Sequence, residues 1–428
     1  MRPKSQTTLA IPWRIAMQPQ HRLTIARRVS RVVLTQFSDL LLTPEDRMRD
    51  YYRRSYARMD GYYYPKHFME IPYWIPILCS MFRPDRFKRQ LMIVDDMSAA
   101  ERECQAAGPD EAFLMSVLDA NLECVLRLAG TGAQLILGGY IDARQFEQYP
   151  NVRYLSEPAD ILQVVPGAQA VSTLDYSLFS GMECIPRYSL SSGCSFRCAF
   201  CTVPSKLVLA SADSLEAEAS ALRDLRFKLV FMDDKSFGEA PNWQKLESVG
   251  RQINRYNEKF TGFIVQTPPS LACRPGFLEK CRDLGVRYVE FGVETVNDKL
   301  LTYLRKPFRV RHLMQACEIA RSLGLYVIPN FIVGIPGDDY AGTASWLSDN
   351  VDIVPVVNVN WLSLHFGNVR GDLGLPVHGV HDRDQNSSTK SWLTAVEEAA
   401  GWDMISHAYQ LTDQYWTGRR TYSDVTSR

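Results

Sequence analysis

Short apolar, β-branched runs separated by helical stretches recur along this chain, and that alternation restricts its fold more than any other feature. Five such runs fall before residue 156: 31–37, 90–95, 112–118, 133–140 and 151–155. Six more follow residue 186: 187–191, 228–232, 261–266, 287–294, 326–334 and 356–365. Helical patterns separate many of them, as at 121–128, 214–225, 275–284 and 310–323. A strand followed by a helix and then another strand is the signature of a parallel sheet, because parallel strands need a long crossover. The first series predicts a flavodoxin-like (Rossmann-type) sheet. The second predicts a partial (β/α)6 TIM-type barrel. In both architectures functional groups collect at the carboxyl ends of the strands.

Two units account for most of the 428 residues. The expected division is an N-terminal extension over 1–27, a Rossmann-type domain over 28–180, a partial barrel over 181–370 and a short helical tail over 371–428, with a helix at 391–410. The chain is 46% hydrophobic, enough to bury two cores. Its 48 basic and 48 acidic residues cancel, so it carries no broad electrostatic footprint for nucleic acid. The longest apolar stretch, Ile71 to Phe82, is interrupted by Pro72 and Pro76 and falls short of the roughly 20 residues that span a bilayer. These features predict a soluble, cytoplasmic protein with no membrane span and no nucleic-acid partner.

Of ten cysteines only three cluster, in the run Ser191-Ser-Gly-Cys-Ser-Phe-Arg-Cys-Ala-Phe-Cys-Thr-Val-Pro204. Cys194, Cys198 and Cys201 are spaced C-x3-C-x2-C on one loop after the first strand of the second series. Three thiolates can hold three irons of a [4Fe–4S] cluster, and since four cysteines are the usual complement, one iron is left open for a small molecule. Zinc would want a fourth Cys or His nearby, and the nearest histidine in sequence is His312. The other seven cysteines read as buried free thiols. Asp233 and Asp234, Glu294 and Gly334 fall at the ends of later strands, where the barrel reading places functional groups. Gly138 and Gly139 end the fourth strand of the first series, where missing side chains let a ligand approach the backbone.

A C-x3-C-x2-C loop opening a βα barrel resembles the radical S-adenosylmethionine (SAM) superfamily. The resemblance extends through Phe231-Met-Asp-Asp-Lys-Ser-Phe237, Phe291-Gly-Val-Glu-Thr295 and Phe331-Ile-Val-Gly-Ile-Pro-Gly-Asp338, over about residues 185–365. It implies a [4Fe–4S] cluster on Cys194, Cys198 and Cys201, with SAM on the open iron and one-electron cleavage to a 5′-deoxyadenosyl radical. By the same resemblance Asp233 and Asp234 contact the SAM amino group and Glu294 its ribose or methionine. Gly334 admits the adenine, and Phe200 lies on the cofactor side of the loop.

The first series resembles the cobalamin (B12)-binding domain that precedes many radical SAM domains, on Ala112 to Asn121 and Leu135-Ile-Leu-Gly-Gly139. It implies cobalamin near Ser116, Gly138 and Gly139. The sequence departs from the mutase-type Asp-x-His-x-x-Gly pattern: His21 and His67, the histidines of this half, stand in no such motif. The expected activity is a cobalamin-dependent C-methyltransferase acting on a small molecule, with a reductant such as flavodoxin or ferredoxin. The alternative is a B12-type radical SAM enzyme catalysing cyclisation, oxidation or rearrangement in cofactor, lipid or natural-product biosynthesis. The residues carrying hydrogen transfer or acid–base steps are not legible. The tyrosine-rich segment 51–66 and the group Trp361, His365 and Asn368 are candidate substrate-facing positions.

Overall fold

The structure is a computed structural model that describes residues 29–38, 71–118, 121–139, 143–170, 173–201, 203–338, 340–362 and 393–417, together with residues 41, 59 and 373. The tyrosine-rich segment, His365 and Asn368 lie outside the described residues.

The first unit contains β1 (Arg31–Phe37), α1 (Trp74–Met81), β2 (Lys88–Val94), α2 (Met97–Gln105), β3 (Glu111–Val117), α3 (Leu122–Ala129), β4 (Gln134–Gly139) and β5 (Val152–Tyr154). All five strands are parallel in the order β2-β1-β3-β4-β5, the flavodoxin-like arrangement that the alternation predicts. The central strands are sealed on both faces, as parallel sheets require: Val33, Phe113, Leu135 and Leu137 are buried on one face with α2 and α3 residues such as Ala100, Cys104, Val125 and Leu128, and Val32, Leu34, Leu114 and Ile136 are buried on the other. Asp96 starts α2 by accepting a bond from the Ser98 backbone. The proline-broken stretch at 71–82 forms α1, a buried helix.

The second unit contains β6 (Arg187–Tyr188), a small antiparallel pair β7 (Ser191–Ser192) and β8 (Val208–Leu209), β9 (Leu229–Met232), β10 (Gly262–Gln266), β11 (Val286–Glu294), β12 (Tyr326–Val333) and β13 (Asn358–Trp361). Six of these form an open parallel sheet, β13-β12-β11-β10-β9-β6, whose spatial order follows the chain. That sequential winding is a partial TIM-type barrel.

One helix departs from the expected grouping. The segment read as 214–225 is Ala212–Ala221 followed by a short 3-10 turn. It packs within the first unit, where Tyr73 donates to Glu218 and Gly181 to the Asp224 carbonyl. The C-terminal helix is longer than expected, running from Ala395 to Trp416 behind a Thr394/Glu397 capping box. Its Trp402 ring lies 5.1 Å from Trp361 on β13. Among the described residues no helix is long and apolar enough to cross a membrane.

Candidate cluster and cofactor site

The face of the six-stranded sheet that carries chemistry follows from packing. Phe263 on β10 lies under the helix Leu246–Asn254, where Gly250 makes room for its ring. Phe331 on β12 meets Trp346 of the helix Tyr340–Asn350. The alternating residues therefore line the opposite face. In-register neighbours on parallel strands share a face, so this inner face holds Gln266 and Glu290, then Gly292 and Asn330, then Asn358. A polar row results. Gln266 donates to Glu290 at 2.9 Å, Asn330 to Glu290 at 3.3 Å and Asn358 to Asn330 at 2.8 Å. Sequence reading did not single out these residues. The available signal was a polar residue interrupting each apolar strand.

The cysteine loop begins after β6. Gly193 has φ +81°, and a Cβ there would overlap the Lys206 carbonyl, so only glycine lets the two ends of the loop approach this closely. The Cys194 amide donates to the Pro204 carbonyl, closing the loop, and the Cys201 amide donates to Cys198. The Ala199 amide donates to Leu304 at 3.0 Å, and Ala199 and Leu304 share a small core with Ile335 and Leu362. Ser195 donates its amide to Glu239. All three cysteines are free; Cys194 and Cys198 are half-buried and Cys201 is exposed. Burial pushes the unmetallated Cys194 thiol up to about 11.

Among the described residues no three His, Cys, Asp or Glu side chains converge on a single metal-ion position. A cluster does not ask for that convergence, because each thiolate takes a different iron. Three free thiols on one closed loop, with a buried cation beside them, fit a [4Fe–4S] group.

That cation is Lys306, a residue that sequence reading missed. It is 8% exposed and donates to the equally buried Glu294 carboxylate at 2.7 Å. Its ammonium also lies 5.6 Å from the Phe200 ring centroid and 5.5 Å from that of Phe308, within cation–π range. Burial pulls the Lys306 pKa down, but Glu294 and the thiols at 198 and 201 outweigh it and hold the ammonium charged. Glu294 thus points its carboxylate to Lys306. Gly292 stands beneath the pair, and a Cβ there would press on both partners. Glu294 (φ +64°) and Arg305 (φ +57°) are the non-glycine residues with positive φ among those described, and they bracket this ion pair. Such strain, on the order of 1–3 kcal/mol per residue, concentrates at functional sites.

Asp233 and Asp234 occupy different environments. Asp233 lies on the inner face and pairs with Arg187 at 2.5 Å and Lys235 at 2.7 Å. Arg187 in turn covers the Phe231 ring. Asp234 is buried, accepting the Leu190 amide at 2.9 Å and the Ser191 hydroxyl at 2.6 Å, so it ties β9 to the strand entering the cysteine loop. Burial pushes its carboxyl up to about 6, against those two bonds. The folded state therefore takes up a proton that the unfolded chain, with its lower pKa, does not. The stability this confers is complete below about pH 4 and is lost as pH rises through about 6, an effect on the order of 3 kcal/mol. Relative to Asp234→Asn, the wild-type melting temperature is expected to fall between pH 5 and pH 7. A pH-independent difference between the two proteins would refute this.

At Gly334 (φ +88°) the space beyond the backbone is taken by Trp361, whose indole also packs over Gly401. The Tyr340 hydroxyl caps the Gly334 amide at 2.7 Å.

In the first unit, Ser116 and Gly138 are register partners at the carboxyl ends of β3 and β4, as are Val117 and Gly139. The two glycines differ. Gly139 (φ +110°) is required by the backbone, because a Cβ would overlap the Val117 carbonyl. Gly138 faces open space, its nearest neighbour being the Leu155 carbonyl at 4.0 Å.

Residues 188–345 match the family model of the Radical SAM superfamily. The chain is 24% identical over 377 residues to a hopanoid C-2 methylase of Rhodopseudomonas palustris (strain TIE-1), covering 78% of this chain and 70% of that protein. Its fold is similar to that of OxsB, a cobalamin-dependent SAM radical enzyme solved with aqua-cobalamin and SAM bound (TM-score 0.53, 15% identity), over 77% of this chain and 53% of OxsB. The chain thus spans about half the length of OxsB. It is similar in fold to TsrM from Kitasatospora setae, a radical SAM methyltransferase solved with cobalamin and a [4Fe–4S] cluster (TM-score 0.53, 14% identity), over 78% of this chain and 76% of TsrM.

Proposed function

We propose, from the premise that residues 188–345 are a radical SAM domain, that this chain is a cobalamin-dependent C-methyltransferase acting on a small molecule. One observation carries the reading. The likeness to the hopanoid methylase covers 78% of this chain, more than either unit holds, so it reaches into the flavodoxin-like unit as well as the cluster domain. The alternative outcome, a radical reaction without methyl transfer, has no comparable observation in its favour.

Cys194, Cys198 and Cys201 would hold the cluster, with Phe200 and Lys306 against it. Asp233, Glu294 and the inner face of the sheet would receive SAM, and Asp234 would hold the loop in place. Ser116 and Gly138 would border cobalamin, where Gly138 leaves room for a planar ligand. When bound, the cluster supplies a single electron to SAM and cobalamin a transferable methyl group. The chain's own contribution is orientation and exclusion of side reactions. An external one-electron reductant completes the system.

The test is anaerobic reconstitution with iron, sulfide and hydroxocobalamin. Stoichiometric cobalt retained after desalting is expected, and with substrate S-adenosylhomocysteine should accumulate beside 5′-deoxyadenosine. Iron without cobalt, or 5′-deoxyadenosine alone, would overturn methyl transfer while leaving the radical SAM domain standing.

A further inference from the structure

We propose that Lys306 is part of the cluster site as an electrostatic positioning residue: its fixed ammonium favours the more negative redox state of a cluster held by Cys194, Cys198 and Cys201.

Lys306 has little freedom, because Glu294 binds its ammonium at 2.7 Å and the rings of Phe200 and Phe308 lie within cation–π range. Phe200 directly precedes Cys201, so the ammonium sits against the cysteine loop itself. The loop and the lysine are also joined through the chain: Ala199 donates to the carbonyl of Leu304, two residues before Lys306, and both pack in one buried cluster. Arg305, between Leu304 and Lys306, takes the left-handed conformation that turns the chain there, and the Lys306 amide closes the turn on Leu301. A non-glycine residue in that conformation, next to a buried lysine, is backbone strain kept where a charge must be aimed. The charge is aimed at the loop: the Lys306 ammonium lies 5.6 Å from the ring centroid of Phe200, the residue between Ala199 and Cys201.

A buried charge is weakly screened, so its effect on a neighbouring group is much larger than at the surface. A cluster bound by three thiolates is anionic and gains a further negative charge on reduction, and net local charge is one of the factors that set such potentials. Lys306 therefore favours reduction, while Glu294 tempers it and fixes its direction.

This inference rests on the radical SAM domain and is independent of cobalamin. The experiment is a mediated dithionite titration of the reconstituted protein, followed by electron paramagnetic resonance of the reduced cluster. Iron and sulfide are assayed on each sample. Lys306→Met should move the midpoint potential to more negative values. Glu294→Gln, which keeps the lysine and removes its counter-charge, should move it the opposite way. Equal potentials in wild type and both variants, or shifts of the same sign, would overturn the proposal. Should Lys306→Met not fold, an unchanged or lowered potential in Glu294→Gln overturns it alone. Failure of wild type itself to assemble a cluster would instead strike the cluster assignment, so the two failures are distinguishable.

Discussion

Replacing Cys198 with alanine is expected to abolish reductive cleavage of SAM, with 5′-deoxyadenosine formation falling to the uncatalysed background and the cluster lost or reduced in iron content. With four thiolates as the usual complement, a loop that begins with three has none to spare. Cys198 is also the middle cysteine of the motif, and the buried Lys306 acts on it electrostatically. The substitution removes a half-buried thiol without touching a backbone bond of the loop, so the fold should persist. Circular dichroism matching wild type, together with lost 5′-deoxyadenosine, would separate loss of the ligand from loss of the fold. Unchanged 5′-deoxyadenosine formation would refute the cysteine assignment outright.

Gly193→Ala should damage the site from outside the ligand set. Gly193 precedes Cys194, its φ is +81°, and a Cβ there would overlap the Lys206 carbonyl. Neither neighbour can yield easily, because Lys206 lies between the loop closure at Pro204 and β8. The left-handed conformation costs a non-glycine residue on the order of 1–3 kcal/mol, and the backbone clash adds to it. The expected result is a protein whose first unit remains folded while its iron content after reconstitution drops severalfold. Wild-type iron loading would show that the loop opens without consequence. The contrast with Gly138, where an added Cβ meets open space, is a control: Gly138→Ala should leave iron loading unchanged.

Several features of the site were legible in the order of residues. Alternating strands and helices dictate parallel sheets, because a parallel pair cannot be joined by a tight turn. The cysteine spacing restricts three thiolates to one loop whatever surrounds it. Strand-end residues such as Glu294 and Gly334 fall near a common edge because a sequentially wound parallel sheet brings all its carboxyl ends together.

What each strand-end residue does was not legible, since it depends on neighbours distant in the chain. Asp233 and Asp234 are adjacent in sequence, yet one lies in an ion-paired inner face and the other holds β9 to the loop entrance. The sequence does not show that a Cβ at Gly334 would press on Trp361 of β13. The helix beginning at Ala212 follows the cysteine loop in sequence but packs in the first unit, because burial of its apolar residues is decided by tertiary contact and not by chain order.

The sequence by itself determined two parallel α/β sheets, a three-thiolate loop and the strand ends to which it belongs, all consequences of local periodicity and spacing. The tertiary structure alone decided which charges meet. Glu294 and Lys306 are brought together by a bulge at the end of β11 and a left-handed turn at Arg305. Gln266, Glu290, Asn330 and Asn358 become neighbours only when four strands align in register. The physical reason is that electrostatic and hydrogen-bond partners are chosen by distance in space and by exclusion of water, and neither is written in the separation of residues along the chain.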